Sequence, residues 1–377
     1  MKIPFNKPYL SGNELVFIED AVHRGHLSGD GYYTRKCQNW LEKQTGCLKA
    51  LLTHSCTAAL EMAAILAGIK PGDEIIMPSY TFVSTANAFV LSGGVPVFID
   101  IRPDTMNMDE KLIEAAITNK TKAIVPVHYA GVACEIDSVI KIAEKHNLLV
   151  IEDAAQAIMS QYRGKPLGGI GHLATLSFHE TKNLHCGEGG ALLINDKRFV
   201  ERAEIIWQKG TNRNKFSLGQ VDKYTWVDIG SSYLPSELNA AFLYAQMVDA
   251  LPIIKKRMAI WKYYYKGLKS LEDQDLLQLP FIPSECEHNA HIFYIKTIDL
   301  ADRTALIRFI KERGIFALFH CLPLHSSDAG LKYSRFHDLD KFTTSESERL
   351  LRLPLYTDLD LNQAQTVIDA INDFFKK

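Results

Sequence analysis

Three short segments of the chain hold side chains whose types could do chemistry, and the first of them spans residues 53–64. In THSCTAALEMAA a short strand is predicted to end at Thr53, and a turn rich in hydroxyl groups then opens a helix. The free N–H groups and the positive dipole end of a helix N-terminus form a ready phosphate site, to which Ser55 and Thr57 add hydroxyl donors. Serine and threonine are also favoured N-caps in general, so simple helix capping is the alternative interpretation.

The second segment, VIEDAAQA at residues 150–157, places an acid at the end of a buried strand. Asp153 would lie at the C-terminal edge of a sheet, where its carboxylate could balance a buried cation such as a protonated pyridine nitrogen. A metal ligand or a helix N-cap would use the same residue type in the same place. The residues of this segment alone leave the three interpretations open.

The third segment, LSFHETKNLHCGEGGALLIN at residues 176–195, places a lysine between two strands. Most lysines are solvated and do no chemistry. Lys182 lies in a turn of small residues, beside uncharged surroundings that could lower the pKa of its amine. The glycines at 187, 189 and 190 either let the backbone approach a ligand closely or simply form a tight turn.

Composition bounds the class of protein that these segments belong to. The 377 residues favour two domains, and a net charge of −2 without a basic excess argues against a nucleic-acid-binding surface. The seven cysteines are scattered and form no C-x-x-C pair, which predicts neither disulfides nor a metal site and favours a reduced, cytoplasmic compartment. MKIPFNKPYL lacks the apolar region of a signal peptide, and the uncharged stretch Ile75–Ile99 favours strand, helix and strand over a membrane span.

The elements that must position these segments alternate between strands and helices from about residue 48 to 200. Strands are predicted at Lys49–Thr53, Glu74–Pro78, Pro96–Asp100, Lys122–Val127 and Leu148–Glu152, with helices near 56–68, 83–92, 109–117 and 136–145. Strands that are apolar throughout and separated by helices indicate a mainly parallel sheet covered on both faces. Two further strands, Ala174–His179 and Ala191–Asn195, are too close in sequence for a crossover helix, which predicts an antiparallel member.

The pattern changes in the last third of the chain. A helical region begins near Ser236, and Pro252 is expected to break or kink it before the aromatic-rich helix that runs to about residue 268. The remaining elements are predicted as a strand at Ile292–Ile298, a helix at Arg303–Arg313, a short strand at Ile315–Phe319 and helices near 344–351 and 361–375. We therefore expect a large α/β domain at residues 1–250 and a smaller C-terminal α+β domain at 251–377.

Together, the phosphate-type helix start, the strand-end acid and the lysine occur in the order found in fold-type I pyridoxal-phosphate (PLP) enzymes. The chain resembles the sugar-nucleotide aminotransferases over essentially its whole length, in GNELVFIEDAV, PGDEIIMPSYTFVSTANAFVLSG, IVPVHYAG, IEDAAQA, SFHETKN and GEGG. VHYAGVACEID, DKYTWVDIGSSYLPSEL and TTSESERLLRLPL carry a narrower resemblance to the transaminases that make dTDP-4-amino-4,6-dideoxygalactose for enterobacterial common antigen. The implied fold is aspartate-aminotransferase-like, with a mixed, mainly parallel sheet in the large domain.

The resemblance assigns roles to individual residues of this sequence. Lys182 matches the lysine that binds PLP covalently, and Asp153 matches the acid that pairs with the pyridine nitrogen. Phe82 matches the aromatic residue that stacks on the ring, and Gln156 matches the residue near its phenolic oxygen. The side chains implied at the cofactor phosphate are Thr57 and Ser177, helped by the backbone N–H groups of Cys56 and Thr57.

Two departures from the family pattern concern the substrate side of the site. GSSYL replaces an Asn-Tyr-Arg run that reaches the phosphate from the neighbouring subunit, so Ser232 is the remaining candidate for that contact. In FHCLPLH, Cys321 replaces a tyrosine, while His320 and His325 are candidates for substrate contacts or for structural roles. Arg213 and Lys223 are candidates for binding the substrate's diphosphate, although charges on exposed loops are usually just solvated.

The function implied by the resemblance is transfer of an amino group from L-glutamate to C4 of dTDP-4-keto-6-deoxy-D-glucose, giving dTDP-4-amino-4,6-dideoxy-D-galactose and 2-oxoglutarate. Related dehydratases carry histidine where Lys182 stands, which favours an aminotransferase. The alternatives are the 4-amino-4,6-dideoxyglucose product and a non-catalytic regulator that has kept the PLP fold. The resemblance also implies a homodimer with shared active sites, and neither nucleic acid nor a membrane is expected as a partner.

Overall fold

The computed structural model of the chain describes residues 2–376 and contains three β-sheets surrounded by helices. The strands are β1 (Lys49–Thr53), β2 (Glu74–Pro78), β3 (Val95–Ile99), β4 (Thr121–Ile124), β5 (Leu149–Asp153), β6 (Gln161–Tyr162), β7 (Lys165–Pro166), β8 (Leu173–Ser177), β9 (Gly190–Ile194), β10 (Cys286–Glu287), β11 (Phe293–Lys296), β12 (Arg335–Phe336) and β13 (Leu350–Leu353).

The α-helices follow the strands along the chain and cover the sheets. They are α1 (Glu14–His23), α2 (Tyr32–Thr45), α3 (Cys56–Leu66), α4 (Val83–Val90), α5 (Ile113–Ala116), α6 (Ile136–His146), α7 (Val200–Trp207), α8 (Arg213–Ser217), α9 (Glu237–Val248), α10 (Ala250–Glu272), α11 (Leu300–Glu312), α12 (Asp328–Tyr333), α13 (Thr343–Arg349) and α14 (Leu361–Phe375).

The main sheet has eight strands in the order β1-β9-β8-β5-β4-β2-β3-β12. The pairs from β12 to β8 are parallel, whereas β9 is antiparallel to both of its neighbours, β8 and β1. The predicted mixed, mainly parallel sheet is therefore confirmed. The antiparallel strand lies where the chain between β8 and β9 makes a turn instead of a crossover helix.

Most predicted elements match the observed ones. β1 and β2 have the predicted bounds, β3 and β5 are shifted by one residue, and β4 ends three residues earlier than predicted. The predicted helix at 109–117 is a short 3₁₀ turn followed by α5. The helical region breaks between α9 and α10, just before Pro252, so this proline lies in the first turn of α10, where its missing N–H costs nothing.

Two predictions in the C-terminal part were wrong. The segment 315–319 forms no strand and makes only isolated bridges, from Ile315 to Ile3 and from Leu318 to Arg352. The helix predicted near 344–351 ends at Arg349, and the next four residues form β13 instead. Pro354 follows directly and disfavours a helical conformation for the residue before it, so the sequence carried a signal for this boundary.

Hydrophobic clusters pack on both faces of the main sheet, and a further cluster fills the C-terminal part around β11, β13, α10, α11 and α14. The boundary near residue 250 stays a prediction, and contacts cross it at several places. Ile3 packs in the C-terminal cluster, and β12 extends the edge of the main sheet beside β3. Across residues 2–376, no helix combines the length and the apolar character needed to cross a membrane.

A long-range contact completes the start of α2. Gly31 precedes this helix and offers no capping side chain, but the carboxylate of Glu237 at the start of α9 takes that place. It accepts hydrogen bonds from the backbone nitrogens of Gly31 at 3.1 Å, Tyr33 at 2.7 Å and Thr34 at 3.0 Å. A buried anion therefore satisfies N–H groups of α2 that have no partner inside the helix.

Candidate active site

A cavity of about 950 Å³ lies at the carboxyl ends of the parallel strands, where the main sheet meets the C-terminal part. Ligands of parallel α/β sheets are expected at this edge. The cavity brings together eleven of the residues singled out in the sequence, namely Ser55, Cys56, Thr57, Phe82, Asp153, Gln156, Ser177, Lys182, Gly189, His320 and Cys321. Side chains that are far apart in the sequence thus line the same cavity.

One end of the cavity is formed by the start of α3. Ser55 is its N-cap, and its Oγ accepts a hydrogen bond from the Ala58 nitrogen at 3.1 Å, so the capping interpretation holds for this residue. The hydroxyl of Thr57 is hydrogen-bonded to Ser84 Oγ at 2.7 Å. A Cβ atom at Gly190 would lie 2.4 Å from the Cys56 nitrogen, so only glycine lets β9 pass this close to the helix start.

Asp153 ends β5 with a buried and firmly held carboxylate. Its Oδ2 accepts a hydrogen bond from Thr85 Oγ1 at 2.7 Å, and its Oδ1 accepts one from the Ala155 nitrogen at 3.1 Å. No helix begins here, so the N-cap interpretation is wrong. Within residues 2–376 no group of three or more His, Cys, Asp or Glu side chains is placed to hold a metal ion.

Lys182 lies in the turn between β8 and β9, and its side chain reaches the same cavity as Asp153. Its amine makes no ion pair with any of the residues that the structure describes. Burial lowers the pKa of this amine, while the nearby thiol of Cys56 and carboxylate of Asp153 act in the opposite direction. An amine of lowered pKa is neutral, and hence nucleophilic, for a larger fraction of the time than a solvated lysine.

Two buried asparagines, which the sequence analysis missed, fix the lysine turn to the rest of the site. Asn183 donates from Nδ2 to the Asn289 carbonyl at 2.8 Å. Asn289 in turn donates to the carbonyls of Gln156 and Ile158, both at 2.9 Å. Gln156 Oε1 accepts a hydrogen bond from the Ala130 nitrogen at 2.7 Å, so the loop that carries it is also held from the other side.

Glu152, directly before Asp153, forms a second buried network behind the cavity. It accepts hydrogen bonds from His128 Nε2 at 2.9 Å, from the Gly168 and Ile170 nitrogens at 2.9 Å, and from the Gly171 nitrogen at 2.6 Å. Burial alone would raise the pKa of Glu152. The hydrogen bond from His128 and those from the backbone outweigh it and hold this pKa below its usual range.

The wall opposite α3 is aromatic and mostly uncharged. The Tyr129 hydroxyl and His320 Nδ1 are hydrogen-bonded at 2.7 Å, and the ring of Tyr80 packs against Tyr129. Burial, together with the charges of Arg352 and Lys182, moves the pKa of His320 well below its ordinary value. Burial also raises the pKa of the Cys321 thiol to about 11. The histidine and the thiol are therefore neutral at physiological pH.

The other candidate residues lie outside this lining. His325 is hydrogen-bonded through Nδ1 to Ser79 Oγ at 2.7 Å and lies 3.2 Å through Nε2 from Asp340, which favours its structural role over a substrate contact. Ser232, Arg213 and Lys223 are exposed residues of the segment 208–232 and do not line the cavity of their own chain. Their roles stay predictions.

Comparison with known proteins places the whole chain beside one group of enzymes. Residues 9–372 match the DegT/DnrJ/EryC1/StrS aminotransferase family. The spore coat polysaccharide biosynthesis protein SpsC of Bacillus subtilis is 30% identical over 383 aligned positions, covering 99% of this chain and 97% of SpsC.

Solved structures agree with that match. DesV from S. venezuelae superimposes with a TM-score of 0.91 at 28% identity, covering 100% of this chain and 99% of DesV. The aminotransferase TlmJ from Streptoalloteichus hindustanus gives a TM-score of 0.90 at 27% identity, with 99% of both chains covered. PseC from Helicobacter pylori, an aminotransferase of pseudoaminic acid biosynthesis, gives 0.90 at 25% identity, with 100% of both chains covered.

We predict that Glu152→Gln lowers the free energy of unfolding by about 3 kcal/mol at pH 7, because an amide N–H₂ group must then face backbone donors inside the protein. The native pKa of Glu152 is lowered, so its contribution is complete above the unfolded value of about 4.3 and is lost as the pH falls through the native value. Urea denaturation at several pH values measures the difference in free energy of unfolding between the unsubstituted protein and Glu152→Gln. This difference should be constant from about pH 7 to 5 and should shrink below about pH 4.

The exposed Glu144→Gln serves as the control and should change the free energy of unfolding by less than about 0.5 kcal/mol. A gap between Glu152→Gln and the unsubstituted protein that grows on acidification would contradict the assignment of a lowered pKa.

Proposed function

The chain belongs to the DegT/DnrJ/EryC1/StrS aminotransferase family and is a PLP-dependent sugar aminotransferase, and we propose that it aminates C4 of a dTDP-linked 4-keto-6-deoxy sugar with L-glutamate as donor. The proposed product is dTDP-4-amino-4,6-dideoxy-D-galactose, with 2-oxoglutarate as co-product. One observation carries the assignment of the site. A lysine amine of lowered pKa, a fixed carboxylate and a helix start converge on a single cavity.

The residues of the cavity fit the cofactor. When bound, PLP supplies an aldehyde that bonds to amines and a ring that accepts electrons. The start of α3, with Thr57 and Ser177, would hold its phosphate by backbone N–H groups and hydroxyls. Phe82 is 67% exposed although it lies at the mouth of a cavity, which leaves its ring free to stack on a planar ligand. Gln156 would lie beside the ring.

Lys182 would be the proton carrier of the reaction. Its Nζ, once free, would move a proton from the α-carbon of the amino donor to the imine carbon of the cofactor. In the second half-reaction it would move a proton from that carbon to C4 of the sugar. A lowered pKa suits this role, because an amine must be neutral to accept a proton. The hydrogen bonds of Asn183 would keep the lysine turn in place while the amine moves.

Asp153 would hold a proton on the ring nitrogen of the cofactor. Thr85 and the Ala155 nitrogen bind its two oxygens and fix the direction in which its charge points. A carboxylate that is already oriented need not reorganise when charge develops on the ring, which is the general advantage of a preorganised site. Thr85 is thus a positioning residue that the sequence analysis did not identify.

The uncharged wall suits a sugar ring. His320 would present a neutral imidazole that hydrogen-bonds a hydroxyl or keto oxygen, with Tyr129 fixing the ring through Nδ1. Cys321 would offer a small, neutral thiol in the place where a tyrosine is common in the family. This difference in volume beside the acceptor bears on which face of the sugar turns toward the cofactor, and therefore on the configuration of the product at C4.

We further propose that two copies of the chain form a homodimer with shared active sites. The segment 208–232 does not line its own cavity, yet it exposes large apolar side chains, with Leu218 71% and Trp226 78% exposed. Apolar surface of this kind gains by burial against a partner. In a dimer, Arg213, Lys223 and Ser232 on the same segment would be available to the cavity of the second copy.

If two copies form a dimer, sedimentation equilibrium should give a mass of twice 42.4 kDa. Trp226→Ser should weaken association by at least about thirtyfold, because the loss of a large buried aromatic contact costs about 2 kcal/mol or more. Leu331→Ser, equally exposed but in the C-terminal part, is the matched control. A fully active monomer would contradict the shared site.

Substituting Lys182→Ala should reduce turnover by at least about 10⁴-fold, because both the attachment point of the cofactor and the proton carrier are removed. A small primary amine added to the assay should restore part of the rate in this variant. Lys165→Ala, an exposed lysine on β7, is the control and should keep normal turnover. A rate within tenfold of the unsubstituted enzyme would refute the assignment of Lys182.

The reaction itself is tested by incubating the enzyme with PLP, L-glutamate and dTDP-4-keto-6-deoxy-D-glucose and determining the product by NMR. We expect an axial amine at C4, as in the galactose-configured product. An equatorial amine would establish the 4-amino-4,6-dideoxyglucose alternative and keep the roles of Lys182 and Asp153. An absence of any aminated sugar would contradict the proposed acceptor.

A further inference from the structure

Arg352 brings a second positive charge to the cavity. Among the described residues that line the cavity, Lys182 is the one lysine and Arg352 is the one arginine. Arg352 lies on β13, and its Nε and Nη2 atoms donate to the Phe319 carbonyl at 3.2 and 2.9 Å. Its guanidinium lies 4.7 Å from the centre of the Phe5 ring. The group is therefore fixed in position on one side and lines open space on the other.

The charge of Arg352 has no counterion in the part of the chain that the structure describes. No carboxylate forms an ion pair with it, and its electrostatic neighbours are the neutral groups of Tyr129, Tyr80 and Cys321. Burial lowers the pKa of Arg352, yet a guanidinium stays protonated in proteins. A partly buried cation without an acid is costly, and an anion that enters the cavity would remove this cost.

Arg257 shows what a purely structural buried arginine looks like in the same protein. It also lacks an acidic partner, but it donates to the carbonyls of Ala290 at 3.2 Å and His291 at 2.6 Å and does not line the cavity. In both arginines the Nη1 atom makes no hydrogen bond within residues 2–376, but Arg352 differs because it lines the cavity. One side of its planar donor fork is therefore available to a ligand.

The chemistry of the two substrates decides which anion lies there. Arg352 and Lys182 line the same cavity, and the residues beside them are in contact. Arg352 pairs with Tyr294 across β13 and β11, and His291, three residues before Tyr294, is hydrogen-bonded at 3.0 Å to Asn183, next to Lys182. The charge of Arg352 accordingly contributes to lowering the pKa of Lys182. The α-carboxylate of an amino acid is one bond from the carbon that gives up its proton to Lys182. In a nucleotide-linked sugar the diphosphate is attached at C1, across the ring from the reacting C4. An anion close to the lysine therefore belongs to the amino acid.

We propose that Arg352 binds the α-carboxylate of the amino donor through the free side of its guanidinium. This inference rests on the proposed aminotransferase function and adds the residue that recognises the donor. Arg352 is directly connected to the acceptor wall, because its backbone N–H and C=O are both hydrogen-bonded to Leu318 and its side chain binds the carbonyl of Phe319, next to His320 and Cys321. One cavity thereby serves both substrates in turn, as a ping-pong reaction requires.

The test compares the holoenzyme with Arg352→Gln, Arg352→Lys and the control Arg303→Gln. Arg303 is also a partly buried guanidinium, 5.5 Å from the Phe319 ring, but it does not line the cavity. Each half-reaction is followed separately by the absorbance of the cofactor, first with L-glutamate and then, after amination, with the sugar nucleotide. L-Isoglutamine, in which an amide replaces the α-carboxylate, is measured beside L-glutamate, and binding of unreactive glutarate is measured by calorimetry.

We expect Arg352→Gln to raise the L-glutamate concentration at half-maximal rate, and the Kd of glutarate, by roughly 30-fold or more. The same variant should lose discrimination against L-isoglutamine and change the sugar-nucleotide half-reaction by less than about threefold. Arg352→Lys should be intermediate, because it keeps the charge but not the planar fork. Arg303→Gln should match the unsubstituted enzyme.

An unchanged response to L-glutamate in Arg352→Gln, or a defect confined to the sugar nucleotide, would overturn the inference. Failure of the proposed function gives a different result, because the unsubstituted enzyme would then accept an amino group and produce no aminated sugar. If the unsubstituted enzyme reacts with no amino acid, glutarate binding decides, and equal binding by Arg352→Gln would overturn the role of Arg352. Should Arg352→Gln fail to fold, Arg352→Lys carries the same comparison.

Discussion

Glu152 is a fully buried carboxylate on the strand that also carries Asp153, and its hydrogen bonds hold together the loops around the site. Successive residues of a strand point to opposite faces, so Glu152 binds behind the sheet edge while Asp153 faces the cavity. His128 and the backbone from Gly168 to Gly171 converge on the Glu152 carboxylate. Burying a charge is expensive unless it is hydrogen-bonded on all sides, and this requirement brings the two loops into one arrangement.

The lysine turn is held in a comparable way from the opposite side. Asn183 and Asn289 connect this turn to the loop of Gln156, and Arg257 fixes the backbone beside Asn289. Burial alone lowers the pKa of Arg257 to about 9, since no acid compensates its charge. Buried polar side chains that apolar ones could not replace therefore hold the loops around the cavity. The geometry of the cavity depends on these side chains, although they would not touch a substrate.

Much of the fold and the centre of the site could be predicted from the sequence. Short apolar runs with clear ends gave β1 and β2 their correct bounds, and the spacing around Lys182 indicated the antiparallel strand. Lys182 and Asp153 could be singled out because each stands in a local motif, and the structure places both in one cavity, while their roles stay predictions. Local patterns suffice where a residue's environment is made mostly by its neighbours in the chain.

Other features depend on partners that are distant in sequence. Thr85, Asn289 and Arg352 look like ordinary polar residues in the sequence, because the groups that they bind come from other elements. The error at 315–319 has the same origin, since a strand-like pattern there meets partners only at single positions. Cys321 could be recognised as a departure from the family, but its neutral state follows from burial that the sequence does not show.

The position of β9 between β1 and β8 has a consequence for the order in which the protein forms on the ribosome. β1 hydrogen-bonds to no strand except β9 within the described sheet, and β9 follows it in the chain by about 140 residues. At ordinary rates of translation, β9 is synthesised roughly 10–30 s after β1, and the apolar strand β1 has no paired neighbour during this time. The nascent chain therefore carries an unpaired β1 while β2, β3, β4, β5 and β8 are made, and chaperones would be needed most in this period.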